Sequence, residues 1–139
     1  MVASTIRILQ ELDINPKPQL VVRTYIKGIS DAMLAIRDRN EPDVFFPPMQ
    51  WDKQWLMPLP DDQRVYSTML RECALGINPA STVSLELMLL GKPVINLGFD
   101  PPDSNLPYHL RWRRHTDEFD HYVPVTNSGA VMVARKRSA

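Results

Sequence analysis

Three side chains in the middle of the chain, Ser81, Thr82 and Glu86, have the types and spacing to hold a phosphorylated ribose. They lie within Gly76-Ile-Asn-Pro-Ala-Ser-Thr-Val-Ser-Leu-Glu-Leu-Met-Leu-Leu-Gly-Lys-Pro-Val-Ile-Asn-Leu-Gly98. This run predicts a strand ending at Asn78, a helix over Ser81–Leu90 closed by Gly91, and a second strand over Pro93–Leu97. A helix start carries unpaired amides and the positive end of the helix dipole, which suits a diphosphate. Glu86 follows Thr82 by four residues, one turn along the same face, where a carboxylate can accept from ribose hydroxyls. The competing reading is structural: Ser81 caps the helix and Glu86 is a solvated surface residue.

The elements that would position these groups alternate along the chain. Ser4–Leu12 is predicted as a helix capped by Ser4 or Thr5, followed by a break at Asn15-Pro16-Lys17-Pro18. Leu20-Val21-Val22 reads as a buried strand ending at Arg23-Thr24, Ile29–Arg39 as a helix, and Val44-Phe45-Phe46 as a strand. Pro60-Asp61-Asp62-Gln63 leads into a helix over Arg64–Ala74, with its acids where the dipole favours them. In the tail, Tyr122-Val-Pro-Val125 and Val131-Met-Val133 alternate like strands around an Asn127-Ser128-Gly129 turn. Short apolar strands between helices predict an α/β protein with a mainly parallel sheet covered on both faces, a Rossmann-like three-layer α/β/α sandwich. Right-handed crossovers then bring Arg23, Asn78 and Gly98 to one rim, where such folds bind ligands.

Composition narrows the classes. The 139 residues suffice for one domain, and 16 basic side chains balance 16 acidic ones. That balance argues against a nucleic-acid footprint, although Arg111-Trp112-Arg113-Arg114-His115 forms a local basic cluster read as a solvated loop. A single cysteine, Cys73, excludes an internal disulfide and a cysteine-built zinc site. No window has the apolar length of a membrane span and the amino terminus lacks a secretory pattern, which fits a cytoplasmic protein.

Other chemistry-bearing residues read as structural. His109, His115 and His121 are spaced by six, with no clustered acids to complete a metal site. Trp51 and Trp55 lie four apart, as on one helix face, and with Trp112 offer either stacking surfaces or plain core. Asp100–Ser104 follows the strand ending near Gly98 and reads as a surface turn on the site rim. Ser81 lacks the Gly-x-Ser-x-Gly setting of a nucleophile, and no glycine-rich phosphate loop is present.

The Ile77–Ile95 run, with Ser-Thr, Glu and Gly-Lys-Pro-Val-Ile in order, resembles the donor-site segment of GT-B class nucleotide-sugar glycosyltransferases. It is most similar to bacterial surface-polysaccharide transferases and the CDP-glycerol glycerophosphotransferase-like group. Val22-Arg23-Thr24-Tyr25, Pro60-Asp61-Asp62 and the tail segments at Tyr122 and Gly129 resemble that group's flanking segments, so the similarity spans most of the chain. It implies that residues 1–139 form part of the donor-binding half of such a fold, without the amino-terminal acceptor half and short of a closing helix after Ala139. Ser81 and Thr82 would then hold the diphosphate and Glu86 the ribose, with Asn78 in the donor set and Arg23 as a counter-charge. The chain departs from the pattern at Tyr25-Ile26, where the group has His-Pro, and at Gly76, where it has Asp.

The same resemblance implies a nucleotide-sugar or CDP-polyol donor and a saccharide or polymer acceptor bound through the other half. It implies no metal and no cofactor, and peripheral association with the inner membrane face for the whole enzyme. No catalytic base is assigned within these residues. Two other readings stay open: half of an enzyme similar to UDP-sugar 2-epimerases, and a non-catalytic α/β binding or interaction module.

Overall fold

The computed structural model describes residues 2–24, 29–100 and 105–136. It is a mixed α/β protein with small parallel sheets, and it divides into two compact units, Met1–Arg64 and Val65–Ala139. Among the described residues the strands pair in three separate sheets.

In the first unit, α1 (Val2–Glu11) starts before the predicted cap, so Ser4 and Thr5 lie inside the helix. Val2 and Ile6, one turn apart, form one buried stripe. They meet Val22, which follows β1 (Leu20–Val21), and Leu20, Met33, Ile36, Val44 and Phe46 pack around them. Met33 and Ile36 come from α2 (Asp31–Asp38), the crossover between β1 and β2 (Val44–Phe45). The two strands are parallel, pairing Leu20 with Val44 and Val21 with Phe45, so this βαβ unit forms as the sequence predicts. Leu20 and Val44 face the core; Val21 and Phe45 are exposed on the other side.

After Pro47-Pro48 the chain makes an antiparallel hairpin of β3 (Trp51–Asp52) and β4 (Met57–Pro58). Trp51 and Trp55 therefore do not share a helix face. Asp52 Oδ1 takes the Gln54 and Trp55 amide protons, both at 2.8 Å, which diverts the backbone from helix. Helix α3 (Pro60–Glu72) opens on Pro60, whose missing N–H costs nothing in a first turn, with Asp61 and Asp62 behind it.

The second unit is built on β5 (Gly76–Asn78), β6 (Val94–Leu97) and β7 (Met132–Ala134), all parallel in the order β5-β6-β7. Helix α4 (Val83–Leu89) crosses from β5 to β6, and Gly91, in the left-handed region at φ 66°, closes it. Leu87, Val94 and Val131 form the core, joined by Leu70 and Cys73 from α3 and its end, and by Val83, Met88, Val125 and Val133. Gly76 lies under α4: a methyl group there would meet Leu87 Cδ1. A side chain at this position would require the Leu87 side chain to move.

Between β6 and β7 the chain forms a short 3-10 turn (Tyr108–Leu110), α5 (Arg113–Asp117) and α6 (Val123–Asn127). Two expectations are corrected here. Arg113 and Arg114 begin a helix rather than a loop, and salt bridges four residues apart, Arg113–Asp117 and Arg114–Glu118, brace it. Tyr122–Val125 is a helix start rather than a strand: Tyr122 is the N-cap, and Pro124 occupies a first-turn position that needs no N–H. The hydrophobic alternation there reflects two inward contacts, the buried Tyr122 and the core-packed Val125, not a pleat. The predicted Val131–Val133 strand does form, one residue later, and pairs with β6.

Leu87 is the buried centre of the second unit. Leu87→Ala should lower the unfolding free energy by about 2–5 kcal/mol, measured by urea denaturation; a change under about 0.5 kcal/mol would mean that this core is not packed as described.

Candidate functional site

The turn joining β5 to α4 runs through Pro79, Ala80, Ser81 and Thr82. Ala80 is left-handed at φ 76°, an unusual state for a residue with a Cβ, and it delays helix onset to Val83 with Thr82 as N-cap. The predicted helix start at Ser81 is therefore two residues early. The Ser81 carbonyl accepts from the Ser84 amide at 2.9 Å, and the Thr82 carbonyl from Leu85 at 2.9 Å and Glu86 at 3.3 Å. Ser81 Oγ accepts from the Val83 amide at 3.5 Å, the long limit of such a bond. Thr82 is exposed and its hydroxyl makes no capping bond.

Glu86 is exposed one turn beyond Thr82, so both lie on the outer side of α4. Its carboxylate accepts a hydrogen bond from the Tyr66 hydroxyl on α3. Tyr66 thus fixes the orientation of the acid while leaving further lone pairs available.

Asn78 has a different setting. It is buried at the end of β5, and its Oδ1 accepts from Ser84 Oγ at 3.1 Å and from Asn96 Nδ2 at 3.0 Å. Asn96 Nδ2 also lies 3.1 Å from Ser84 Oγ. The Tyr122 hydroxyl completes the cluster, 2.8 Å from Ser84 Oγ and 2.9 Å from Asn96 Oδ1. It has one proton for two acceptors, so it serves them alternately. Asn78 Nδ2 is buried without a hydrogen-bond partner among the described residues. The group joins β5, α4, β6 and the N-cap of α6 directly beneath the Ser81 turn. Two carboxamides and two hydroxyls suit orientation, not proton transfer at neutral pH.

Sequence reasoning assigned Asn78 to a ligand and did not single out Ser84, Asn96 or Tyr122. A signal was present: Asn96 interrupts the apolar run Val94-Ile95-Asn96-Leu97 at an inward position, and Ser84 precedes the core residue Leu87 by three.

Arg23 belongs to the first unit, where it forms an ion pair with Asp62. Asp62 is 2% exposed, and its Oδ1 also accepts the Gln50 amide at 3.0 Å. Burial opposes ionisation of this carboxyl, but the Arg23 guanidinium and the Gln50 N–H outweigh it and hold the carboxyl below its ordinary range. The arginine expected as a phosphate counter-charge is thus engaged in tying the end of β1 to the first turn of α3.

The remaining candidates are surface features. Asp100 Oδ1 accepts the Trp112 amide at 2.7 Å, and residues 101–104 of the predicted rim turn lie outside the described residues, as do Tyr25 and Ile26. His115 stacks near Phe119 with ring centroids 4.5 Å apart. Among the described residues, no three His, Cys, Asp or Glu side chains gather as a metal site. Arg114 lies over the Tyr108 ring, 4.5 Å from its centre, and Glu118 accepts from both side chains. The Tyr108 and Arg114 hydrogen bonds hold the Glu118 carboxyl below its usual range. No family model, curated protein or solved structure matches this chain.

Two outcomes test this geometry. Tyr122→Phe removes the hydroxyl that serves Ser84 and Asn96, and should cost about 1–3 kcal/mol on denaturation; an unchanged midpoint would show the hydroxyl is dispensable. Because the Asp62 carboxyl is depressed, its stabilisation is complete above the ordinary carboxylate range and fades as pH falls through the folded value. Stability of the wild type should therefore drop below about pH 4, and Asp62→Asn should be less stable at neutral pH with a shallower acid limb.

Proposed function

We propose that this chain is the donor-binding part of a nucleotide-diphospho-donor transferase, with a Rossmann-like three-layer sandwich as its complete fold. The intact enzyme passes a sugar or polyol-phosphate group to a saccharide or polymer acceptor held by a companion half, in the cytoplasm. The observation that carries this reading is the common exposure of Thr82 and Glu86, one turn apart on α4, beside the Ser81 turn at the carboxyl end of a parallel strand. Phosphate belongs at that turn, and ribose hydroxyls belong on Glu86. Asn78 supports the turn from below through its bonds to Ser84 and Asn96 and need not touch ligand. Arg23, bound to Asp62, is a framework residue in this reading.

In this reading transfer requires an acceptor half to exclude water and align the reactants, and residues 1–139 contribute donor binding. A second reading, a non-catalytic interaction module, draws on one specific feature. Leu85 and Leu89 flank Glu86 on the same outer side of α4, and Leu89 is 87% exposed. An apolar stripe of that kind suits a macromolecular partner.

Titration calorimetry with UDP, CDP and GDP separates the two. The transferase reading expects saturable heat with at least one nucleotide, and Glu86→Ala should weaken it by about 1–3 kcal/mol. Folded protein that gives no heat with any of the three rejects nucleotide binding. Nucleotide affinity indifferent to Glu86→Ala removes the assigned ribose site.

A further inference from the structure

The hydrogen bond from Tyr66 to Glu86 joins two helices within the second unit, α3 and α4. Tyr66, Leu70 and Cys73 recur at helical spacing, so they share one stripe of α3 and its end. Leu70 and Cys73 pack on Leu87, Val94 and Val131, so the stripe faces the core to which α4 contributes Leu87. Tyr66 is half-buried one turn before Leu70, and its hydroxyl reaches the exposed carboxylate of Glu86. Packing therefore holds the donor, while the acceptor stands in water.

An exposed bond of this kind adds little to stability, because water offers both groups the same partners. Its effect is on direction. A glutamate on a helix surface samples many rotamers, and ordering it on binding weakens a ligand roughly three- to tenfold. Tyr66 removes that loss by ordering the carboxylate in the free protein. The bond occupies one lone pair of Oε2. A carboxylate has about four such positions, so both oxygens can still accept from outside, side by side. A cis-diol matches that pair, with one hydroxyl to each oxygen. A sugar with a single hydroxyl there leaves one oxygen to water.

We propose that Tyr66 is a positioning residue acting through Glu86, and that the ligand the pair selects is a ribonucleoside diphosphate over its 2′-deoxy form. Tyr66 sets the carboxylate to take the 2′- and 3′-hydroxyls of the ribose together, an assignment that rests on the nucleotide reading of α4. It adds to that reading the identity of the sugar and a second residue, on a different helix.

Titration calorimetry of the full chain with UDP, CDP and GDP, each against its 2′-deoxy form, tests it. The ribonucleotide that binds should do so about tenfold more tightly than its deoxy form, and Glu86→Ala should erase that preference. Tyr66→Phe keeps the ring, so circular dichroism and the denaturation midpoint should stay unchanged while ribonucleotide affinity falls about fivefold. In the Glu86→Ala background the same change should have no effect, the mark of a residue that acts through the acid. Equal affinity for the ribo and deoxy forms overturns the selection of a diol. Glu86→Ala weakening binding while Tyr66→Phe does not overturns the positioning role and leaves the ribose site standing. An equal loss on Tyr66→Phe with and without Glu86 overturns that role too. Folded protein that binds no nucleotide rejects the nucleotide reading itself, and this assignment with it.

Discussion

The second unit depends on one constraint: four buried polar side chains must satisfy one another. A hydroxyl or carboxamide taken out of water without a partner costs on the order of a few kcal/mol, a large share of the margin by which a domain is stable. Asn78, Ser84, Asn96 and Tyr122 meet most of the demand with a shared set of bonds between 2.8 and 3.1 Å, leaving Asn78 Nδ2 without a partner among the described residues. Apolar contacts tolerate sliding, but hydrogen bonds fix distance and direction. The cluster therefore sets the register of α4 over β5 and β6 more tightly than Leu87 and Val94 would alone. It also brings in the start of α6, whose N-cap residue is the tyrosine itself. The conformation of the Ser81 turn follows from this, since Asn78 and Ser84 stand at its two ends.

The first unit solves a related problem with charge. A carboxylate as buried as Asp62 is tolerable only when paired and hydrogen-bonded, and Arg23 with the Gln50 amide supplies both. These contacts join the end of β1, the segment before β3 and the first turn of α3 at one point. Removing either charged partner leaves the other desolvated, so the pair acts as a positional lock more than as a source of net stability. The same geometry gives the Arg23 guanidinium an anion within its own unit.

Local pattern sufficed where one face of an element meets one core. Leu20–Val22, Val44–Phe46, Leu75–Asn78 and Pro93–Leu97 read as strands because apolar runs bounded by Pro, Gly and polar residues have few other solutions. The α4 helix was legible from its apolar residues and Gly91, though not its first residue, because the left-handed Ala80 has no sequence signature. Tyr122–Val125 misled because two apolar residues spaced by three fit a helical turn as well as a strand margin, and only the buried bonds to Ser84 and Asn96 decide it. The hairpin at Trp51–Pro58 was hidden for a like reason: a spacing of four suggests a helix face, while Asp52 bonding forward to residues 54 and 55 makes a turn. Of the candidate residues, the placement of Thr82 and Glu86 one turn apart was legible from helical spacing. The buried bonds of Asn78 and the ion pair of Arg23 were not, because their tertiary partners lie far away in sequence.

Both parallel sheets have one covered face in their own unit and one that retains exposed apolar groups. In the first, Leu20 and Val44 pack on α1 and α2 residues while the paired Val21 and Phe45 face outward. In the second, register places Ile77, Ile95 and Met132 on one face, opposite Asn78, Asn96 and Val133, and Ile77 and Met132 are exposed. Parallel sheets in α/β proteins bury both faces, because each crossover adds a helix and the strands are apolar throughout. The proposed three-layer sandwich thus has definite physical content: it requires apolar cover over Val21 with Phe45 and over Ile77 with Met132. The buried cluster constrains where that cover can lie. Asn78, Asn96 and Ser84 occupy the opposite side, where an added apolar layer would have to break hydrogen bonds to enter.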